Sequence, residues 1–458
     1  MSPVPVALLS LAGLLTLLLL GVPVAFSMAL VGVAGLLVMG GVGPALGLLG
    51  TVPYSTVASF SLVVIPMFVL MGELVASAGL AQRAYATARA WLGRLPGGLA
   101  MTAIGASTFF AAVSGSSVAA TATMGRLSIA EMRRYGYDGG LAAGTVAVAG
   151  TLAALIPPSA MAVFYALVTD QSVSKMLIAG VGPGIVSSLL FMLTAYLVAR
   201  RYPHLAPVVQ QRVSWTERMA SLRTIGPFGV LILVVLGGIY SGLVTVTEAS
   251  ALGALAAFLL LAASRQLHWS ALHQALSSSL KISCMIYLII IGGLLFSRFL
   301  AFSGVPFAMV RAIQGLDIPP VAVVIVMLLI LSVLGMFMDP VGMIMLTLPF
   351  FFPVVKALGV DPIWFGVLVV LEAELGVITP PVGVHLFVVR QIVPDVPLGA
   401  LIRGALPFML CQLLVLSLVV VFPPPRPLAP RSDALMPLAE FGDANWPAPG
   451  ETVICTSH

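Results

Sequence analysis

Charge is what this 458-residue chain has least of: 8% of its residues are Asp, Glu, Lys or Arg, where a soluble domain carries about a quarter. With 60% hydrophobic residues and a mean hydropathy of +1.14, a soluble globular fold is excluded. Cysteine is scarce too. Cys284, Cys411 and Cys455 have neither paired nor metal-like spacing, so they point to packing rather than to a disulfide framework or a zinc site. The net charge of +5 comes from scattered loop arginines, not from a stripe that could track phosphates, so no nucleic acid partner is expected. Enzyme motifs are also missing: there is no His-Glu-x-x-His, no glycine-rich phosphate loop with its lysine, and no aspartate-rich diphosphate motif. Tyr137-Asp138 matches half of an intramembrane aspartyl protease pair, but no Gly-x-Gly-Asp partner follows. The chain reads as a non-enzyme, and an intramembrane hydrolase is the weakest alternative.

Apolar stretches are what the chain does contain. Runs of about 17 or more residues, each enough to cross a hydrocarbon core of roughly 30 Å, recur from Val4 to Phe422. Lipid offers no partner to an unpaired peptide group, and the alternation of a barrel is absent, so the spans are helices. The expected class is an all-α polytopic membrane protein in contact with lipid. Met1 to Gly21 lacks the basic start of a signal peptide and reads as the first span. No Lys or Arg precedes Arg83. Basic residues then cluster at 83–94, 126–134 and 200–223, which the positive-inside rule assigns to the cytoplasm. Residues 40–54 and 169–175 then face outward.

Two proline pairs, Pro157-Pro158 and Pro380-Pro381, interrupt long apolar runs and lie 223 positions apart (380 − 157 = 223). The same offset matches Gly115-Ser116-Ser117 with Met338-Asp339-Pro340, and the Gly136-x-Asp138 corner with Gly359-x-Asp361. Between the basic clusters at 94 and 126, about thirty apolar residues broken at Ser114 to Ser117 leave and return on one side, as a re-entrant hairpin does. The first half therefore has helices near 4–20, 22–39 and 55–80, an amphipathic connector, a hairpin, a helix broken at the proline pair, and a last helix over 176–199. Five crossings is odd, so a tandem copy inserts upside down. The expected organisation is scaffold helices over 1–80, a connector, hairpin and broken helix over 81–199, and a basic loop over 200–224. Scaffold helices over 225–300 and a second connector, hairpin and broken helix over 301–422 follow, with a disordered tail over 423–458.

A proline pair in a spanning helix removes two N–H donors and frees carbonyls one turn earlier. Hard cations prefer such oxygens, and in inverted-repeat transporters unwound carbonyls hold sodium while helix N-termini face anions. The Ser114 to Ser117 tip adds hydroxyls, with close packing as its alternative role. Asp339, at the second tip, is either a cation or proton ligand or the cap of a helix starting at Pro340, and both readings stay open. Glu73 and Glu248 fall in scaffold helices and suggest structural roles. Glu372 or Glu374 could approach an ion ahead of Thr379, and His385 either lines the path or packs.

The segments Phe109 to Ser117, Gly150 to Ser159, Thr247-Glu248-Ala249 and Gly376 to Gly383 together resemble the large membrane subunit of TRAP transporters (DctM-like, in the ion transporter superfamily) across about residues 5–422. The resemblance implies import of an organic anion, commonly a carboxylate, through the bacterial or archaeal cytoplasmic membrane by sodium symport and an elevator motion. It implies a separate small four-helix membrane subunit and an extracytoplasmic binding protein as partners, with Na+ as coupling ion and no organic cofactor. By that resemblance Ser114, Ser116, Ala153, Ile156 and Pro158 form one sodium site, and Asp339, Gly376, Thr379 and Pro381 a second. Substrate contacts fall to Ser116, Ser117, Ser159, Asp339, Pro340, Gly383 and His385, the last where the family pattern has asparagine. A stand-alone sodium-coupled carboxylate transporter of the same superfamily is the alternative.

Overall fold

The computed structural model describes residues 3–422 apart from 210–212 and 317. The segment 423–458, read above as a disordered tail, lies outside the described residues, as does Cys455. The first half runs α1 (Pro3–Leu19), α2 (Val24–Gly40), α3 (Val42–Val57), a 3-10 turn at Phe60–Val63, and α4 (Val64–Ser77). It continues with α5 (Leu80–Leu92), α6 (Gly98–Ser114), α7 (Ser117–Arg134), α8 (Gly139–Ala149) with a 3-10 extension at Gly150–Ala154, α9 (Ala160–Val168) and α10 (Val173–Arg201). The second half is α11 (Trp215–Tyr240), α12 (Val246–Ala263), α13 (Trp269–Ser303), α14 (Val305–Gln314), α15 (Pro320–Gly335), α16 (Pro340–Ala357), α17 (Pro362–Gly376), α18 (Val384–Ile392) and α19 (Leu398–Val421). Seven of the described helices are long and apolar enough to span a membrane, and several shorter apolar ones accompany them.

The duplication is visible in the helix starts. α7 and α16, and likewise α8 and α17, begin 223 positions apart (340 − 117 = 362 − 139 = 223). Each half also packs against the other by exchange: α2 on α13 and α12 on α4, then α8 on α19 and α17 on α10. That reciprocity is what a two-fold relation between inverted repeats produces. The Gly-x-Asp corners have a local cause. Gly136 (φ 80°) and Gly359 (φ 63°) take the left-handed turn that ends each hairpin's second arm. Asp138 and Asp361 then cap the next helix, accepting from Leu141 N at 2.8 Å and from Trp364 N at 2.7 Å.

Small residues let the exchanged helices meet. Gly140 and Gly144 of α8 lie against Ala400 and Gly404 of α19 so closely that a Cβ on Gly140 would stand 2.6 Å from the Ala400 carbonyl oxygen. In the scaffold, Gly32 of α2 faces the Phe296 backbone of α13, 2.7 Å from where a Cβ would sit.

Two boundaries differ from the sequence reading. Residues 40–54, taken as an outward-facing segment, are mostly the helix α3, and the expected helix over 55–80 is divided at Ala58 and Ser59. Together α3 and α4 occupy the repeat position that α13 fills as one continuous 35-residue helix. The basic loop is also shorter than 200–224, because α11 starts at Trp215, where Ser214 and Glu217 form a reciprocal capping box. Arg218 then seats α11 on the connector α5. It donates to the Ala90 carbonyl at 3.1 Å and lies over the rings of Trp91 and Trp215.

Candidate functional site

The first hairpin turns at Gly115, whose φ of 62° ends α6 in a left-handed cap. Ser116 caps α7, accepting from Ala119 N at a long 3.4 Å, and its own carbonyl faces the Ser114 hydroxyl at 3.5 Å. This tip rests on the first proline break: Gly115 O accepts from Ala160 N at 3.3 Å, and a Cβ on Gly115 would stand 3.0 Å from the Pro158 carbonyl oxygen. The N-termini of α7 and α9 therefore converge, which concentrates unpaired N–H groups and positive dipole ends at one point. On the scaffold side the tip meets α4, where a Cβ on Gly72 would come 2.7 Å from Ser114 O. Glu73 is its half-buried neighbour.

In an unbroken helix, Pro157 N and Pro158 N would serve the carbonyls of Ala153 and Ala154. The Ser159 hydroxyl bonds Ala154 O and also caps α9, accepting from Ala162 N at 3.1 Å. Ala153 O receives nothing. Among the described residues, the carbonyls of Ala153, Ile156 and Pro158 accept no hydrogen bond from the chain; they are oxygens of the kind a hard cation takes, and that of Pro158 lies against the tip at Gly115. Ser114, Ser117 and Ser159 are buried, and Gly115 and Ser116 between them are half-buried.

The second break is organised differently. The freed Gly376 carbonyl accepts from Thr379 N at 3.0 Å and that of Val377 from His385 N at 3.0 Å. Thr379 and Pro381 keep unbonded carbonyls among the described residues. The Thr379 hydroxyl donates to Leu375 O at 2.6 Å. Gly383, at φ 61°, turns the chain into α18 where repeat 1 uses Ser159. Asp339 is half-buried and caps α16, its Oδ2 accepting from Gly342 N at 2.9 Å. The cap role is thus present, and it leaves Oδ1 for another partner. The second hairpin's first arm crosses α17 where Gly335 meets Gly376, each lacking the side chain that would collide.

Pro340 is buried as the first residue of α16. His385 is not at the second tip: its Nδ1 lies 3.1 Å from the Ala147 carbonyl of α8, in the other repeat. A carbonyl only accepts, so Nδ1 carries the proton and Nε2, buried without a partner, is left as an acceptor. Glu248 takes a structural place as the N3 residue of a capping box with Thr245. Glu372 accepts from Ser332 of α15. Glu374 is fully buried with both oxygens unpartnered, which spacing along the sequence gave no means to see. No group of three or more His, Cys, Asp or Glu side chains that could hold a metal ion occurs among the described residues.

Helical hairpins and proline-broken helices repeated in the two halves define a transporter fold. Two solved transporters share it: that of Alcanivorax borkumensis YdaH (17% identity, TM-score 0.58, 83% of this chain and 89% of that one) and Neisseria gonorrhoeae MtrF (16% identity, TM-score 0.54, 84% and 85%). Residues 11–424 match the family described as the tripartite ATP-independent periplasmic transporter, DctM component, and the chain belongs to it. Relatives include the C4-dicarboxylate TRAP transporter large permease protein of Pseudomonas aeruginosa, 40% identical over 81% of this chain and 86% of that protein. The sialic acid TRAP large permease of Vibrio cholerae is 31% identical over 90% and 96%, and the ectoine TRAP large permease of Halomonas elongata 30% over 90% and 96%. The chain is a multi-pass permease of the inner membrane rather than an enzyme.

Proposed function

We propose that this chain is the large membrane subunit of a binding-protein-dependent importer that carries an organic anion, of the carboxylate class, by sodium symport. The observation that carries the reading is the meeting of the serine tip with the first break. Unbonded carbonyls at Ala153, Ile156 and Pro158 offer a cation neutral oxygens, while the α7 and α9 N-termini offer an anion N–H groups beside it. A second cation would sit between Asp339 and the carbonyls of Thr379 and Pro381. The C4-dicarboxylate relative, at 40% identity, supports a carboxylate. Transport would proceed by an elevator motion, with α6–α10 and α15–α19 moving against α1–α4 and α11–α13. The partners are a small membrane subunit and an extracytoplasmic binding protein that delivers the substrate.

The test is uptake of labelled dicarboxylates into liposomes, adding this chain, the small subunit and the binding protein one at a time under an inward sodium gradient. Uptake only with all three, abolished by Ser116→Leu or Thr379→Leu, is expected. Uptake by this chain alone would establish the stand-alone alternative, and uptake indifferent to sodium would end the symport reading.

A further inference from the structure

Polar contacts fasten the connector α5 to α11 of the other repeat. The Thr87 hydroxyl donates to Ser221 O at 3.1 Å, Arg218 Nε donates to Ala90 O at 3.1 Å, and the Arg83 guanidinium lies 5.6 Å from the Phe228 ring centre. Beside this seam the packing leaves a space. A cavity of about 520 Å³ lies between α5, α6, α10 and α11, lined by Ala88, Trp91, Gly105, Met192 and Leu222 among apolar neighbours. That is the size range of small-molecule pockets. Thr87 brings the one hydroxyl in its lining, already spent on Ser221 O. Gly105 keeps the space open, since a Cβ there would stand 3.3 Å from both Leu92 Cδ1 and Met192 Cε. Trp91 and Leu222 are exposed, so the cavity opens on the surface of the molecule.

At the mouth the chemistry changes. Trp91 meets the exposed Trp215 edge to face at 6.1 Å, and tryptophans of this kind sit at the level of lipid headgroups. Arg218 lies over both rings, 5.8 and 5.2 Å from their centres, one turn along α11 from Leu222. Its Nε is held by Ala90 O, and among the described residues neither Nη group has a hydrogen-bond partner. A guanidinium fixed in place thus presents donors at the rim. The neighbouring acid, Glu217, is taken up by the capping box of α11. An apolar depth under a basic, aromatic rim matches a phospholipid, and basic pockets between helices on the cytoplasmic side suit anionic headgroups. We propose that this cavity holds one acyl chain of an anionic phospholipid of the cytoplasmic leaflet, with its phosphate on the Arg218 guanidinium. Repeat 2 has a cavity in the equivalent place, about 510 Å³ between its connector α14, hairpin helices α15 and α16, and α1, the first helix of the other repeat. α1 carries no charged residue where α11 carries Arg218 and Arg223, so a chain in that cavity finds no such partner on α1. The lipid site is therefore one-sided, and it lies on the seam where α5 joins scaffold to hairpin.

The experiment is native mass spectrometry of the purified full-length permease with phosphatidylglycerol or phosphatidylcholine of identical chains. Photolabelling by phosphatidylglycerol with a diazirine on one chain locates the site. The wild type should retain phosphatidylglycerol about tenfold better, the effect of one charge-assisted contact, with the label on lining residues of α5, α6, α10 or α11. Arg218→Gln should bring phosphatidylglycerol down to the phosphatidylcholine level, and Arg218→Lys should restore part of the difference. Gly105→Leu fills the cavity without altering charge and should abolish the labelling; Ala88→Leu replaces it if it does not fold. Ala312→Leu, in the cavity beside α1, should leave retention and labelling at wild type, and a loss matching that of Gly105→Leu would overturn the one-sided site. Equal retention of the two lipids by the wild type, or unchanged labelling in Gly105→Leu, would overturn the proposal. So would displacement of the lipid by glycerol 3-phosphate, which would assign the rim to a free phosphate ester. Labelling lost in Gly105→Leu with lipid preference unchanged in Arg218→Gln would also overturn it, because the chain alone would then hold the lipid.

Discussion

Substituting Asp339 separates its capping bond from its charge. Asn leaves an oxygen to accept from Gly342 N, now bonded at 2.9 Å, and caps about as well as Asp; Ala removes the cap at about 1 kcal/mol. Losing the negative charge at the N-terminus of α16 costs a further ~0.3–1 kcal/mol in either variant. Without sodium, melting should therefore rank wild type, then Asp339→Asn, then Asp339→Ala, with the larger step at Ala. Sodium dependence should rank otherwise. A cation 4 Å from a carboxylate at a protein site is held by about 4 kcal/mol. Even with part of that recovered by the amide oxygen, Asp339→Asn should raise half-activation of uptake by sodium on the order of a hundredfold. The assay is uptake in proteoliposomes with the full complex across a sodium titration. Wild-type sodium dependence in Asp339→Asn would refute the ligand role and leave the cap alone. Equal melting of the Asn and Ala variants would refute the capping argument.

Gly72→Ala places a Cβ 2.7 Å from Ser114 O, a backbone atom that cannot swing aside, and overpacking of that kind costs about 1–3 kcal/mol. The first tip should sit on α4 less of the time, so a Ser114→Cys probe should react faster with a thiol reagent in the Gly72→Ala background; equal rates would remove the contact from the account. Ser159→Ala strips the donor from Ala154 O and the cap from α9 together, and leaving a buried carbonyl bare costs about 1–3 kcal/mol. Lower melting, restored in part by Ser159→Thr, is the expected outcome, and an unchanged melting point would show that the break does not depend on this hydroxyl.

The repeat was legible in the sequence because its signals are backbone signals. Proline pairs, Gly-x-Asp corners and tip residues each force a local geometry that survives the loss of other identity between the halves. α3 was not legible. Gly41, Gly43, Pro44, Gly47, Gly50 and Pro53 look like loop by propensity, yet an apolar surrounding penalises every unpaired peptide group, and the segment becomes helix regardless. The side-chain partners were out of reach for a different reason. That His385 meets Ala147, 238 positions away, and that Glu374 meets no partner, are products of how α8, α17 and α18 cross, and neither leaves a trace in spacing.

The two breaks share a frame but differ in charge, and on the proposed reading that difference assigns them different work. At the second break the chain satisfies both freed carbonyls itself, through Thr379 N and His385 N, and the tip brings a carboxylate. A sodium ion there is cancelled by Asp339 and presents little net charge to anything beyond. At the first break Ala153 O stays unbonded and the tip offers only neutral serine oxygens. A sodium ion held by neutral ligands keeps its full positive charge, next to the N-termini of α7 and α9, where an anion is best placed. The substrate carboxylate should therefore be coupled electrostatically to the first ion and hardly at all to the second. Ser116→Ala should raise the substrate KM and the sodium half-activation together, whereas Asp339→Asn should move sodium half-activation with the KM at saturating sodium unchanged. Equal effects of the two substitutions on KM would refute this division, because they would mean the anion senses both ions alike.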